Sequence, residues 1–187
     1  GAESVRSTNE PADWSKAILA SNRHYLEGRI VPMPCPAEYN FFFTHDLLLS
    51  SLGAVLFDTD FLRQGYAYLN TLHLPDSILA HARYWKDDRY HTEFCASDNW
   101  NHFWIIITAS SYLKHSGDSE TVRKVLPVLE KSISMLLENY RDGLMYAGRP
   151  DWWDIGDRYG ARVYTSGLMY RALQDYVYIQ QELGNGD

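Results

Sequence analysis

The sequence predicts an all-α fold, a single domain over residues 1–187 in which helical hairpins stand around a ring. Three observations predict it. Six segments carry apolar residues at helical spacing, capping and turn residues separate them, and striped segments alternate with segments that are strongly apolar. A striped helix suits an outer layer, whereas a helix without a polar face needs cover on both sides, so the alternation wedges inner helices between an outer layer and a centre.

Pro11 behind Asn9 and Glu10 reads as a first-turn proline, and Trp14, Ile18, Leu19, Tyr25 and Leu26 continue a first helix until Gly28 stops it. The proline-rich stretch Pro32 to Pro36 cannot be helical. Thr44 can then cap a second helix over about His45 to Phe57, whose Leu47, Leu48, Leu49, Leu52, Val55 and Leu56 argue for burial on both sides. Asp58-Thr59-Asp60 recaps the chain into a third, amphipathic helix through Phe61, Leu62, Tyr66, Leu69 and Leu72.

Residues Asp76 to Asp98 show no clean period and read as a long functional loop. A fourth helix runs from about Asn99 to His115. A fifth, striped by Val122, Val125, Leu129, Ile133 and Leu136, contains Pro127, which predicts a bend or an early end. Arg141-Asp142-Gly143 closes it, and a sixth helix runs from about Val163 to Leu183. Short loops follow inner helices two and four, while longer, aromatic-rich ones precede helices two, four and six, so one end of the ring collects the unusual chemistry.

Composition narrows the partners. With 17 basic against 24 acidic residues the formal charge is -7, which gives no electrostatic reason to expect binding to nucleic acid or anionic lipid. No apolar run reaches the length of a membrane span, so a soluble chain is expected, with localisation open between a processed secreted form and a cytoplasmic one. Fourteen tyrosines and six tryptophans exceed what a small helical core needs, since each requires a polar partner or a wet edge; aromatic walls along a wet cleft account for the excess. Cys35 and Cys95 are expected to be free thiols. His91 and Glu93 lack a further pair at ligand spacing, no His-Glu-x-x-His or glycine-rich phosphate loop occurs, and neither a metal nor a cofactor is expected.

Three acidic sites fall at or before the predicted inner helices: Asp46, Asp98, and the group Asp151, Asp154 and Asp157. A carboxylate at a helix N-terminus is favoured in its ionised form and suits the role of acceptor for substrate hydroxyls, although Asp46 and Asp98 also read as plain caps. Asp151-Trp152-Trp153-Asp154 carries the strongest signal. Glycosidic cleavage needs a carboxyl held protonated near neutral pH, and an aromatic wall raises its pKa by desolvating the charged form. Tryptophan faces also stack on sugar rings. The alternative is a loop whose tryptophans pin into the core and whose aspartates pair with Arg149, Arg158 and Arg162.

Through Phe43-Thr44-His45-Asp46, Asp98-Asn99-Trp100, Asp142-Gly143-Leu144 and Asp151-Trp152-Trp153-Asp154, followed by Thr165 to Leu173, the chain resembles six-hairpin glycosidases of the glycogen-debranching and glucoamylase kind. The resemblance implies an (α/α)6 toroid, with three hairpins, about half of the ring, in this chain. It implies an inverting glycoside hydrolase acting on a glycan, with Asp154 as general acid and Asp151 as the alternative. Asp46 would hold sugar hydroxyls beside His45, and Trp85, Trp100, Trp152 and Trp153 would form the walls. Asp98 and Arg158 complete the substrate-binding set. Many relatives carry an arginine where this chain has His45. The general base, and the remaining half of the same enzyme as a partner, are expected outside the chain. A disaccharide phosphorylase and a non-catalytic glycan-binding helical module are the competing expectations.

Overall fold

The computed structural model describes residues 10–35, 41–72, 76–147 and 159–185. Among them are six helices, α1 (Glu10–Ser21), α2 (Thr44–Ala54), α3 (Thr59–Leu72), α4 (Asn101–Ser116), α5 (Ser119–Leu137) and α6 (Val163–Glu182). Eight short strands lie between them: β1 (Arg23–Leu26), β2 (Arg29–Pro32), β3 (Phe42–Phe43), β4 (Ala80–Lys86), β5 (Arg89–Phe94), β6 (Tyr140–Arg141), β7 (Leu144–Ala147) and β8 (Gly160–Ala161). They form three small antiparallel sheets, β1-β2, β3-β4-β5 and β6-β7-β8. The fold is therefore mixed α and β, and the all-α toroid expected from the sequence is overturned.

The three hairpins share one device. Each turns on two residues with positive φ: Glu27 and Gly28, Asp87 and Asp88, Asp142 and Gly143. Paired left-handed residues match the right-handed twist of the strands they join. The first of these turns corrects helix one, which ends at Ser21; Tyr25 and Leu26 belong to β1. The second corrects the long loop over Asp76 to Asp98, most of which is the β4-β5 hairpin. Its alternation is hidden by an irregularity between Ala80 and Ala82 that shifts the register by one residue.

The core is organised around α4, which packs against α2, α3, α5 and α6 and buries residues on every side, from Asn101 and His102 to Leu113. Helices α2 and α6 flank α4, with α3 and α5 also packed against it and against each other. Gly117, at φ 67°, ends α4, and the Asp118 carboxylate caps α5 by accepting from the Thr121 amide at 3.0 Å. Pro127 does not end α5, which continues to Leu137. Helix α2 is less covered than its sequence suggests: Leu47 and Leu48 are buried, whereas Leu49 and Leu52 reach solvent. Helix α1 buries none of its residues.

Strand β3 runs directly into α2, the β4-β5 hairpin precedes α4, and β8 precedes α6. Thr44, expected as a cap, is instead the first residue of α2, and its hydroxyl donates to the Ala80 carbonyl of β4 at 2.6 Å. That buried bond fixes the first turn of α2 against the hairpin leading to α4.

Candidate functional site

Seven half-buried rings form a continuous row across this junction. His91 stacks on Tyr84 with centroids 5.6 Å apart, Tyr84 meets Phe41 at 5.3 Å, and Phe41 meets Phe43 at 5.9 Å. Phe43 then meets His81 at 6.2 Å, His81 meets Trp100 at 6.1 Å, and Trp100 meets His45 at 5.4 Å. All but the first contact are edge-to-face, the arrangement that ring quadrupoles favour. Period two of an extended chain puts Phe41 and Phe43 on one face, while Phe42 between them turns to the core and packs on Tyr68. The irregularity at Ala80 and Ala82 brings His81 onto that same row.

Asp46 stands in the first turn of α2, next to His45. It is open to solvent, yet the surrounding protein desolvates its carboxyl and raises its pKa above the ordinary aspartate value, against smaller opposing effects from its own backbone amide and from His81. A carboxyl that water can reach but protein crowds is a recessed one. Burial holds His81 below the ordinary imidazole value, against the opposing pull of the Glu93 and Asp46 carboxylates. The Asn101 amide donates to His81 Nδ1 at 3.2 Å, which places the remaining proton of the neutral ring on Nε2.

Behind the row, the Asn101 amide also approaches the buried Cys95 Sγ at 3.7 Å, and burial pushes that thiol up to about 12, so it is not a nucleophile. Cys35 and Cys95 are not joined in a disulfide. Among the described residues, Trp100 Nε1, Asn101 Oδ1 and Trp104 Nε1 are buried without a hydrogen-bond partner. Buried indole N–H groups ordinarily find one. All three atoms belong to the start of α4.

The sequence-predicted residues divide into three sets. His45, Asp46 and Trp100 come together at the adjoining N-termini of α2 and α4. Trp85 does not join them: it is 54% exposed and packs on Tyr90, its cross-strand partner on the opposite face from Tyr84 and His91. Asp98 is half-buried in the turn before α4, where Asn99 supplies the capping oxygen to the Asn101 amide at 2.9 Å. Asp151, Trp152, Trp153, Asp154, Asp157 and Arg158 lie outside the described residues.

Sequence reasoning missed His81, Asn101, Tyr84 and the role of His91. The signal was the alternation of the small Ala80 and Ala82 with His81, interrupted by the register shift, with Tyr84 two residues beyond Ala82 on its face. Asn101 was legible only as part of the polar run Asn99 to His102.

A separate pocket of about 240 Å³ is lined by Glu27, Arg29, Tyr68, Thr71, Leu72 and Arg83. Two of its charges are paired with each other: Arg83 bonds Glu27, whose other partner is the Tyr68 hydroxyl at 2.8 Å, while Arg29 donates to the Ala67 carbonyl at 3.2 Å. Among the described residues no group of three or more His, Cys, Asp or Glu could hold a metal ion, and no helix is long and apolar enough to cross a membrane.

No family model matches the chain, and no curated protein matches it. The three sheets overturn the resemblance to the six-hairpin glycosidases, which are built from helical hairpins alone.

Proposed function

We propose that the face formed by His45, Asp46, His81 and Trp100 binds carbohydrate, and that the protein is a glycoside hydrolase. The observation that carries this reading is the recessed carboxyl of Asp46 at one end of a half-buried aromatic row. Sugars offer apolar C–H faces edged with hydroxyls, and they call for ring surfaces beside charged acceptors. Asp46 accepts hydroxyls, His81 Nε2–H donates, and the indole of Trp100 supplies a wall.

The chemical step is assigned on sequence context alone. Asp154, with Asp151 as alternative, is the proposed general acid, because it adjoins two tryptophans in the sequence and an aromatic neighbour favours the protonated carboxyl such an acid needs. An inverting reaction also needs a general base about 6.5–9.5 Å from the acid, with a water between base and sugar.

The test is reducing-sugar release from a panel of neutral glycans, run beside binding to the same panel. Asp154→Asn should lower turnover by about 10²- to 10⁴-fold and spare binding. Asp46→Asn should weaken binding by about ten- to a hundredfold. Binding without turnover in the wild-type chain would sink the hydrolase assignment and leave a glycan-binding module. Turnover only with added phosphate would make the protein a phosphorylase.

A further inference from the structure

The aromatic row is longer than one sugar can cover. It begins at His45 and Trp100, next to Asp46, and ends at Tyr84 and His91 on the β4-β5 hairpin, near the turn at Asp87 and Asp88. Each of the seven residues is only partly buried. A row serving only the core would be buried like Phe42, Tyr66 and Tyr112, all at most 1% exposed.

Polar groups stand at both ends of the row, Asp46 at one and a pair of hydrogen bonds at the other. The Tyr84 hydroxyl donates to Glu93 Oε1 at 2.9 Å, and His91 Nε2 lies 3.0 Å from the Lys86 carbonyl. These bonds hold the two outermost rings in fixed orientations, so stacking on them orders few further side chains. Preorganised rings bordered by hydrogen-bonding groups suit a chain of sugars better than an apolar peptide, whose backbone would need partners that the ring faces do not offer.

Resting on the carbohydrate reading above, we infer that the ligand is an extended neutral oligosaccharide, with one end held at Asp46 and Trp100 and the remainder lying along Phe43, Phe41 and Tyr84. The Asp46 and Glu93 carboxylates beside the row, on a chain of formal charge -7, disfavour a uronic-acid polymer.

The experiment is isothermal titration of the whole chain with neutral oligosaccharides from monosaccharide to hexasaccharide, with a uronic-acid oligosaccharide of matching length alongside. Affinity should climb with length. Tyr84→Ala should weaken the hexasaccharide by about tenfold and the disaccharide much less, whereas Asp46→Asn should weaken every length by a similar factor. Tyr84→Phe keeps the ring and loses the hydroxyl bond to Glu93, so it should retain most of the length dependence. Affinity that does not change with length, Tyr84→Ala acting equally on all lengths, or tighter binding of the uronic-acid chain would each overturn the inference while leaving the carbohydrate reading intact. Failure of the wild-type chain to bind any member would overturn both.

Discussion

The hydroxyl of Ser110 on α4 donates to the carboxylate of Asp175 on α6 across 2.7 Å, and that carboxylate is almost completely enclosed. Lys114 and Arg171 reach it from the surface at 3.1 and 2.6 Å, their own side chains 40% and 57% exposed. The cations can return to water if the aspartate is lost, but Ser110 cannot. Asp175→Ala should therefore cost about 2 kcal/mol, mainly from the stranded hydroxyl and the cavity, and Asp175→Asn about half that. Urea denaturation midpoints at low and high salt will check this; a large salt dependence would return the weight to the ion pairs.

His102 leads to a pH prediction. Its Nδ1 lies 2.9 Å from Ser132 Oγ and its Nε2 3.0 Å from the Ala96 carbonyl, and burial pushes its pKa down from 6.5 to about 4. The folded state thus binds this proton less tightly than the unfolded state. Stability is complete above about pH 6.5 and drains away as pH falls toward 4, by an amount on the order of 3 kcal/mol. His102→Gln cannot take up the proton, and its denaturation midpoint should lose that slope between those pH values.

Helices α2 and α3 touch through Gly65. A Cβ at this position would stand 2.5 Å from Leu47 Cδ1 and 3.1 Å from its Cγ, and Leu47 is itself a buried core residue. Gly65→Ala should destabilise by about 1–3 kcal/mol despite the better helix propensity of alanine. Combining it with Leu47→Ala should cost less than the two single changes added together, a coupling that a double-mutant cycle in denaturant will measure.

Asp46 ties stability to binding. Its carboxyl holds a proton more tightly in the fold than in the unfolded chain, so the ionised form is a burden on the fold at neutral pH, relieved as pH falls through the folded pKa. Asp46→Asn should raise the melting temperature slightly, on the order of 1 °C, because the group is open to water. The same variant should bind neutral sugars more weakly. In the wild type, binding should weaken on acidification at a higher pH than an ordinary aspartate would set. A variant that loses stability together with affinity would make Asp46 a structural residue.

The helices were legible because their apolar residues recur over many turns. Leu47, Leu48 and Ser51, or Val122, Val125 and Leu129, leave little doubt about period. The hairpins were not, although Asp142-Gly143 is among the stronger two-residue turn signals. It was read as a helix stop because β6 and β7 together offer only six residues on which alternation could show. The β4-β5 hairpin was hidden by the register shift and by polar or aromatic residues on both faces. Of the residues on the candidate face, Asp46 was singled out by its position at a helix start, whereas His45 and Trp100 entered through the resemblance. His81 and Tyr84 were missed, because they are recruited by a strand pairing that no local pattern announces.

The turn at Asp87 and Asp88 holds two non-glycine residues at φ 51° and 57°, and it fixes Trp85 opposite Tyr90 and Tyr84 opposite His91. Since side chains alternate across a strand, deleting one residue between Ala80 and Tyr84 would leave a hairpin with its hydrogen bonds intact but its chemistry turned inside out, with Trp85 and Tyr90 facing the Phe41–Phe43 side. Register is in this sense a coordinate of function: homologous chains could gain or lose the aromatic row by a single insertion or deletion, with no ring replaced and no helix disturbed.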